Sequence, residues 1–226
     1  GKQVHVAGIM QHIEEAGIHS GDSACCLPPV SIKPYLIKEI ENQTKKLALA
    51  LKVKGFMNIQ FAIKKDKIFV IEVNPRASRT VPFVSKAKGL PFARIASRVM
   101  AGEKLSNFDL KDKSKGMYAV KEAVFPFNKF PNSDLLLGPE MKSTGEVMGF
   151  DKNFGMAFAK SQIASGNSLP KKGLAFMSLK NSHKDEGINL AKELIKLKFT
   201  LCATQGTAKY IRKFGMKCKI INKVSS

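Results

Sequence analysis

Four polar side chains lie at the end of an apolar run and just after it, within the stretch IFVIEVNPRASRT at residues 68–80. They are Glu72, Asn74, Arg76 and Arg79. Carboxylate and amide oxygens are ligands for a hard cation such as Mg²⁺, and a guanidinium binds phosphate or carboxylate bidentately. The group therefore predicts phosphoryl transfer, in which charge neutralisation and positioning provide most of the catalysis. The structural alternative is a polar strand edge on which Asn74 caps a helix.

The apolar run belongs to a predicted β-hairpin formed by NIQFAIK and KIFVIEVN. Side chains alternate between the faces of a strand, and residues paired across the ladder share a face. If the apolar residues of both strands meet in a core, Ile63 lies opposite Phe69 and Phe61 lies opposite Ile71. The apolar set is Ile59, Phe61, Ile63, Phe69, Ile71 and Val73.

This register also arranges the polar face of the hairpin. Gln60 then lies directly opposite Glu72, while Asn74 lies two residues further along with Asn58 across from it. The hydrophobic pattern alone thus brings a carboxylate and amides to one patch. The register also predicts an odd-numbered loop, formed by Lys65, Asp66 and Lys67.

The loop HSGDSA contains His19, Ser20, Asp22 and Ser23, the residue types of a serine triad. Triads are assembled from distant segments around a strained nucleophile, so neighbours in one loop seldom form one. We expect a polar loop that contacts nucleotide or substrate. Turn formation by Asp22 and the serines is the alternative.

A second candidate anion site lies in LCATQGTAKYI, which reads as strand, turn and helix. Thr204, Gly206 and Thr207 fall at the turn. Backbone N–H groups at a helix N-terminus, together with two hydroxyls, can bind an anion. An ordinary threonine cap explains the same residues equally well.

The 226 residues carry a formal net charge of +20, which first suggests nucleic acid. The lysines are spread along the whole chain, Trp is absent and there are only three Tyr, so no basic and aromatic platform is visible. We predict no nucleic-acid partner, with a non-catalytic basic binding module as an alternative. No apolar run is long enough for a membrane span and no signal peptide is visible, so we expect a cytoplasmic protein without a membrane partner.

The remaining pattern predicts the elements that must position these residues. A strand is expected at 3–11, and a helix follows the Pro-containing loop near residue 34. The segment SGNSLPKKG marks a domain boundary, which gives domains at 1–168 and 169–226. Beyond it strands and helices alternate, which predicts a parallel sheet. We therefore expect an α/β chain: an α+β lobe with an antiparallel sheet, then part of a doubly wound domain.

Several stretches together resemble the large subunit of carbamoyl phosphate synthetase. They are GIHSGDSAC, MNIQFAIKKDKIFVIEVNPRASRTVPFVSKAKG, RVMAGEKL, FPFNKFP and LLGPEMKSTGEVMG. The resemblance covers essentially the whole chain. It implies the C-terminal part of the second ATP-grasp half, which phosphorylates carbamate, followed by the start of a methylglyoxal synthase-like regulatory domain. The activity implied is that of a glutamine-dependent, ATP-dependent ligase that feeds arginine and pyrimidine biosynthesis.

The resemblance also implies roles for individual residues. Gln60, Glu72 and Asn74 would bind the metal. Gln60, Glu72 and residues 17–20 would contact ATP. Phosphate and carbamate contacts fall to Arg76 and Arg79. The nucleotide-contacting stretch consists of Gly17, Ile18, His19 and Ser20.

Allosteric positions, cofactors and partners follow from the same resemblance. ATP, Mg²⁺ or Mn²⁺, and a further K⁺ are the expected cofactors. The partners are a glutaminase small subunit, a nucleotide effector and ornithine, with oligomers of the heterodimer. Ornithine would contact Glu14, Asp22 and Glu122. Nucleotide effectors would contact Lys184, Thr204, Thr207 and Lys223.

Two departures from the family pattern stand out. Gln205 occupies the place of the His in a THGT turn. In addition, no glycine-rich loop, basic phosphate ligand or adenine pocket precedes Gly1, so we expect the isolated chain to be inactive. Another ATP-grasp ligase, such as a biotin carboxylase-like enzyme, is the catalytic alternative, although its C-terminal segment should differ.

Overall fold

The structure is a computed structural model that describes residues 3–114, 116–129, 132 and 134–222. The chain divides into two compact units between Ser168 and Leu169. None of the helices in the described ranges is both long and apolar enough to cross a membrane.

Four α-helices occur in the described part of the first unit. Pro34 occupies the first turn of α1, where its missing N–H costs nothing. Gly89 ends α2 with a positive φ of 65°, and the Asn153 side chain caps α4 by accepting the Met156 N–H at 3.1 Å. The helices are α1 (Pro34–Ala50), α2 (Thr80–Lys88), α3 (Phe92–Met100) and α4 (Phe154–Ala164).

A four-stranded antiparallel sheet forms the centre of this unit, in the order β1-β2-β5-β6. Helix α4 lies so close to it that a Cβ on Gly149 would sit 1.9 Å from the Ala157 carbonyl oxygen. Of the strand predicted at 3–11, only Gln11 pairs, because no described strand lies beside the rest. The strands are β1 (Gln11–His12), β2 (Cys25–Leu27), β5 (Tyr118–Val124) and β6 (Gly145–Asp151).

The predicted hairpin is present as β3 (Asn58–Lys64) and β4 (Lys67–Asn74). At the end that bears the polar residues, the predicted register is confirmed, since Gln60 pairs with Glu72 and Asn58 with Asn74. A β-bulge then follows between Gln60 and Phe61, and it leaves Ile71 without a partner. A bulge of this kind inserts one extra residue into one strand.

The predicted register at the turn end is wrong. Phe61 pairs with Val70 rather than Ile71, and Ile63 pairs with Ile68 rather than Phe69. The connection is a two-residue turn in which Lys65 and Asp66 have φ values of 49° and 62°, as a type I′ turn requires. The expected apolar core is absent there, because the side chains of Ile63, Phe69 and Ile71 are 38–52% exposed.

The second unit is built on a three-stranded parallel sheet in the order β7-β8-β9. Met177, Leu201 and Ala203 lie on one face of the sheet. They pack in a single core with residues of the two helices of this unit, α5 and α6. The predicted alternation of parallel strands and helices is thereby confirmed. The elements are β7 (Gly173–Met177), α5 (Lys184–Lys196), β8 (Phe199–Thr204), α6 (Gln205–Lys213) and β9 (Lys219–Ile221).

Candidate functional site

A cavity of about 1190 Å³ lies within the first unit. Its walls come from the segment before β2, the hairpin β3–β4, and helices α1 and α3. Most of the site residues predicted in this unit line it, whereas Gly17, Asp22 and Glu122 do not. The lining includes Glu14, Ile18, His19, Ser20, Gln60, Glu72, Asn74, Arg76 and Arg79.

The hairpin presents one carboxylate, that of Glu72, and three amides at the cavity, those of Asn58, Gln60 and Asn74. Glu72 lies across the ladder from Gln60, and the Asn74 side chain donates from Nδ2 to Glu72 Oε1 at 2.9 Å. The bulge at Ile71 immediately precedes Glu72, a position where bulges commonly redirect a side chain beside a functional site. These hard oxygen donors are too few to enclose an ion, so they fit Mg²⁺ or Mn²⁺ that keeps waters and substrate oxygens.

The two predicted arginines differ in how they are held. Arg76 Nη1 donates to the Ala77 carbonyl at 2.9 Å, so its guanidinium folds over its own loop. Arg79 is held by a distant segment of the chain instead. Its Nη2 donates to Glu146 Oε1 at 3.2 Å and to Ser143 Oγ at 3.4 Å, so it is fixed by a segment more than sixty residues away.

The HSGDSA loop is an ordered turn and shows no serine triad. His19 Nδ1 accepts the Gly21 N–H at 3.0 Å, so the neutral ring carries its proton on Nε2. The Ser23 hydroxyl donates to the His19 backbone carbonyl rather than to the ring. Gly17 precedes the loop with φ of 113°, a conformation that favours glycine. The loop therefore places the polar His19 and Ser20 on the cavity wall.

Asp22 joins this loop to the segment before β6. Its two carboxylate oxygens accept the backbone N–H groups of Lys142 and Ser143 at 2.8 and 2.9 Å. Burial opposes ionisation of Asp22, but hydrogen bonds from Ser143 and Lys142 outweigh it and lower the pKa. Asp22 is one of the residues predicted to contact ornithine, and in this structure both of its carboxylate oxygens already accept backbone hydrogen bonds.

Glu14 and Glu122 are two further acidic residues of this unit, and the charge of Glu14 acts on Glu122. Glu14 Oε2 accepts the Ala24 N–H at 2.7 Å, and Glu122 accepts a hydrogen bond from the Gln162 side chain. Burial raises the pKa of Glu122, and the charge of Glu14 raises it further. Two acidic groups that repel each other in this way suit a cationic partner.

Lys121 and Glu146 belong to this site, although our reading of the sequence did not single them out. The Lys121 side chain is only 1% exposed, and its Nζ lies 3.6 Å from Glu146 Oε1. The same Nζ donates to the Ser20 carbonyl at 3.1 Å. The available signal was one lysine within the apolar strand YAVKEAV, a pattern that an edge strand also shows.

Three of the four predicted effector residues of the second unit, Lys184, Thr204 and Thr207, lie around the start of α6. Thr204 occupies the N-cap position but makes no capping hydrogen bond. Its hydroxyl instead donates to Thr207 Oγ1 at 3.4 Å, and that oxygen accepts the Leu179 N–H at 3.1 Å. The Lys184 ammonium lies 5.7 Å from the centre of the Tyr210 ring. Lys223 lies outside the described residues.

Comparison with protein families gives two matches along the chain. Residues 1–108 match the model described as carbamoyl-phosphate synthase L chain, ATP binding domain. Residues 186–226 match the MGS-like domain. The carbamoyl phosphate synthase large chain of Acidobacterium capsulatum is 56% identical over 99% of this chain and 21% of that protein. The chain belongs to the carbamoyl phosphate synthase large-chain family.

Two other members of this family are also similar in sequence to this chain. The carbamoyl phosphate synthase large chain of Archaeoglobus fulgidus is 53% identical over the whole chain and 21% of that protein. The protein of Aquifex aeolicus named carbamoyl phosphate synthase large chain, C-terminal section, is 47% identical over the whole chain and 45% of that protein. The chain therefore spans about a fifth to just under half of these relatives. The MGS-like match disfavours the biotin carboxylase-like alternative.

A solved structure supports the fold alone. The L-amino acid ligase from Bacillus licheniformis superposes with a TM-score of 0.54 at 15% identity. The match covers 74% of this chain and 50% of that one. The predicted fold class, a mixed α/β chain with an ATP-grasp-type lobe, is confirmed.

Proposed function

We propose that this chain provides the metal and phosphate side of the carbamate-phosphorylating site of a glutamine-dependent carbamoyl phosphate synthase. The observation that carries the proposal is the convergence of Gln60, Glu72, Asn74 and the two arginines on one cavity. Family membership supports this reaction class, and the cavity contains residue types that suit its chemistry.

The proposed reaction is carbamate + ATP → carbamoyl phosphate + ADP. A carbamate oxygen forms a new bond to the γ-phosphorus, and the bond from that phosphorus to the β,γ-bridging oxygen breaks. Charge develops on the transferred phosphoryl group and on the ADP that leaves. Arg79, which Glu146 holds on the cavity wall, is placed to bind these oxygens, and Arg76 can unfold from the Ala77 carbonyl to join it. No covalent nucleophile from the protein is required.

Divalent metal binding falls to Glu72, with the amide oxygens of Gln60 and Asn74 as further ligands. When bound, Mg²⁺ or Mn²⁺ neutralises phosphate charge and orients the β- and γ-phosphoryl groups. Without it, the exposed Glu72 carboxylate would repel a nucleotide. A K⁺ ion is a further expected cofactor.

The His19–Ser20 segment, which also lines the cavity, is proposed to contact the nucleotide. The Asp22 carboxylate fixes this segment to residues 142 and 143, so its geometry is established before a ligand binds. Such preorganisation lowers the entropic cost of positioning a substrate.

The proposal extends to partners and regulation of the complete enzyme. Ammonia would come from glutamine hydrolysis by a small subunit. Ornithine, a cation, would bind beside the carboxylates of Glu14 and Glu122, where the raised pKa of Glu122 reflects burial and then the charge of Glu14. Nucleotide effectors would bind near Lys184, Thr204, Thr207 and Lys223 in the second unit, which we take as the regulatory domain. The four buried, unpaired thiols suit a reducing cytoplasm.

The test uses the complete enzyme, including any part outside these residues, and the variant Glu72→Gln. We expect ATP synthesis from carbamoyl phosphate and ADP to fall at least about a hundredfold, because the metal loses its charged ligand. Glutamine hydrolysis by the small subunit should remain measurable. Glu39→Gln, on the exposed face of α1, is the matched control and should leave both activities unchanged. Near-normal ATP synthesis by Glu72→Gln would refute the metal assignment.

A further inference from the structure

A buried lysine lies behind the cavity wall on strand β5. The Lys121 side chain is 1% exposed, and a buried ammonium is strongly destabilising unless polar partners compensate it. Its partners are the Ser20 carbonyl at 3.1 Å and the Glu146 carboxylate at 3.6 Å. Both partners belong to segments that form the candidate phosphate site.

Glu146 connects this lysine to the cavity. Its Oε1 atom receives the hydrogen bond of Arg79 Nη2 at 3.2 Å and also lies closest to Lys121 Nζ. Two cations thus share one carboxylate oxygen, and the group keeps one net positive charge. The Arg79 side chain is 43% exposed while Glu146 is 16% exposed, so Arg79 is the member of the group that meets a ligand.

We propose that Lys121 is a positioning residue: by sharing the Glu146 carboxylate, it lets Arg79 be held in place and still bind an anion. If Glu146 interacted with Arg79 alone, the pair would be neutral and would compete with a phosphate for the guanidinium. With Lys121 behind it, the carboxylate orients Arg79 without cancelling its charge. Lys121 Nζ donates to the Ser20 carbonyl at the same time, so one ammonium sets the relative position of two segments that line the cavity.

A purely structural role for Lys121 predicts something different. In that case its loss would lower the free energy of unfolding without raising KM in the folded enzyme, and a second substitution at Glu146 would change stability alone. The charge-sharing role predicts compensation in KM, since Lys121→Met combined with Glu146→Gln restores the single net positive charge.

The test rests on the proposed function and uses the complete enzyme, with carbamoyl phosphate and ADP as substrates for ATP synthesis. Lys121→Met should raise the KM for carbamoyl phosphate at least about tenfold. Lys121→Met/Glu146→Gln should return it to within about threefold of the wild type. Lys160→Met is the matched control, because Lys160 makes an exposed ion pair with Asp151 and should leave KM unchanged. A double variant no better than Lys121→Met overturns the proposal.

Two further measurements keep the outcome decisive. If Lys121→Met does not fold, Glu146→Gln alone should lower kcat about tenfold without raising KM, because Arg79 keeps its charge but loses its position. An unchanged kcat in Glu146→Gln then overturns the proposal. If the wild type makes no ATP, binding of inorganic phosphate by calorimetry replaces the kinetic assay. Loss of phosphate binding in Lys121→Met and its recovery in Lys121→Met/Glu146→Gln would support the positioning role although the proposed reaction had failed. Absence of this pattern would refute the positioning role.

Discussion

Gln60 lies directly opposite Glu72, at the last regular pair before the bulge in the hairpin. This pairing fixes the separation of the two proposed metal ligands through the backbone ladder rather than through flexible side chains. A site built on paired strands is held more precisely than one built on loops.

The first prediction concerns this pair. Gln60→Leu keeps a side chain that suits a strand but removes the amide oxygen opposite Glu72. We expect the Mg²⁺ concentration that gives half-maximal ATP synthesis in the complete enzyme to rise about tenfold or more, with little change in the midpoint of thermal unfolding. Lys64→Gln, at the exposed end of the same strand, should not change the Mg²⁺ requirement. An unaltered requirement in Gln60→Leu would remove Gln60 from the ligand set.

The second prediction concerns the pH dependence of stability through Asp22. Burial opposes its ionisation, but hydrogen bonds from Ser143 and Lys142 lower its pKa below that of the unfolded chain. Its contribution is therefore fully present above the unfolded pKa of about 3.9 and is lost as the pH falls through the lower folded value. Asp22→Asn should reduce the free energy of unfolding in urea by about 2 kcal/mol at pH 7, and the difference should shrink below about pH 3.

A suitable control for Asp22 lies in an exposed turn. Asp109 also accepts a backbone N–H, that of Lys111 at 3.1 Å, but it does not join two segments of the unit. Asp109→Asn should change the free energy of unfolding by less than about 0.5 kcal/mol. Equal effects of the two substitutions would show that Asp22 does not tie the loop to residues 142 and 143.

The third prediction compares two glycines of β6. A Cβ on Gly149 would lie 1.9 Å from the Ala157 carbonyl oxygen and 2.6 Å from the Ser161 nitrogen, both backbone atoms of α4. Gly149→Ala must therefore push the helix away and should cost about 3 kcal/mol or more, measured by urea unfolding. On Gly145 the nearest atom is Val124 Cβ at 3.7 Å, so Gly145→Ala should be tolerated. Similar midpoints for both variants would contradict this packing of α4.

The fourth prediction concerns thiol reactivity. Burial raises the pKa of Cys25 to about 12, and the thiolate is the reactive form. Iodoacetamide at pH 8 should leave Cys25 unmodified in the native protein and modify it in urea, as followed by peptide mass spectrometry. Rapid native modification would show that strand β2 opens readily.

Sequence pattern predicted the polar end of the hairpin and not its turn end, for a physical reason. Alternation places Gln60 with Glu72 once Ile59 and Val73 share a face, and the structure has that pairing. Towards the turn, Ile63 and Phe69 are exposed, so burial does not select the register there and the two-residue turn does.

The interactions behind the cavity wall could not be predicted in the same way. Arg79 meets Glu146, and Lys121 meets Ser20, across sequence separations of 67 and 101 residues. Local periodicity carries no information about such contacts, because they depend on how separate elements pack. A lone lysine in an apolar strand was the only sequence signal, and it fits an exposed strand edge as well.

The bulge at Ile71 lets the two ends of the hairpin change independently. The type I′ turn sets the pairing from Lys64 and Lys67 up to Phe61 and Val70, while Gln60 and Glu72 begin a second register. A residue gained or lost near the turn can therefore be absorbed at position 71 before it reaches the proposed ligands. The spacing from Glu72 to Arg79 lies on the far side of the bulge, so it does not depend on the length of the hairpin tip.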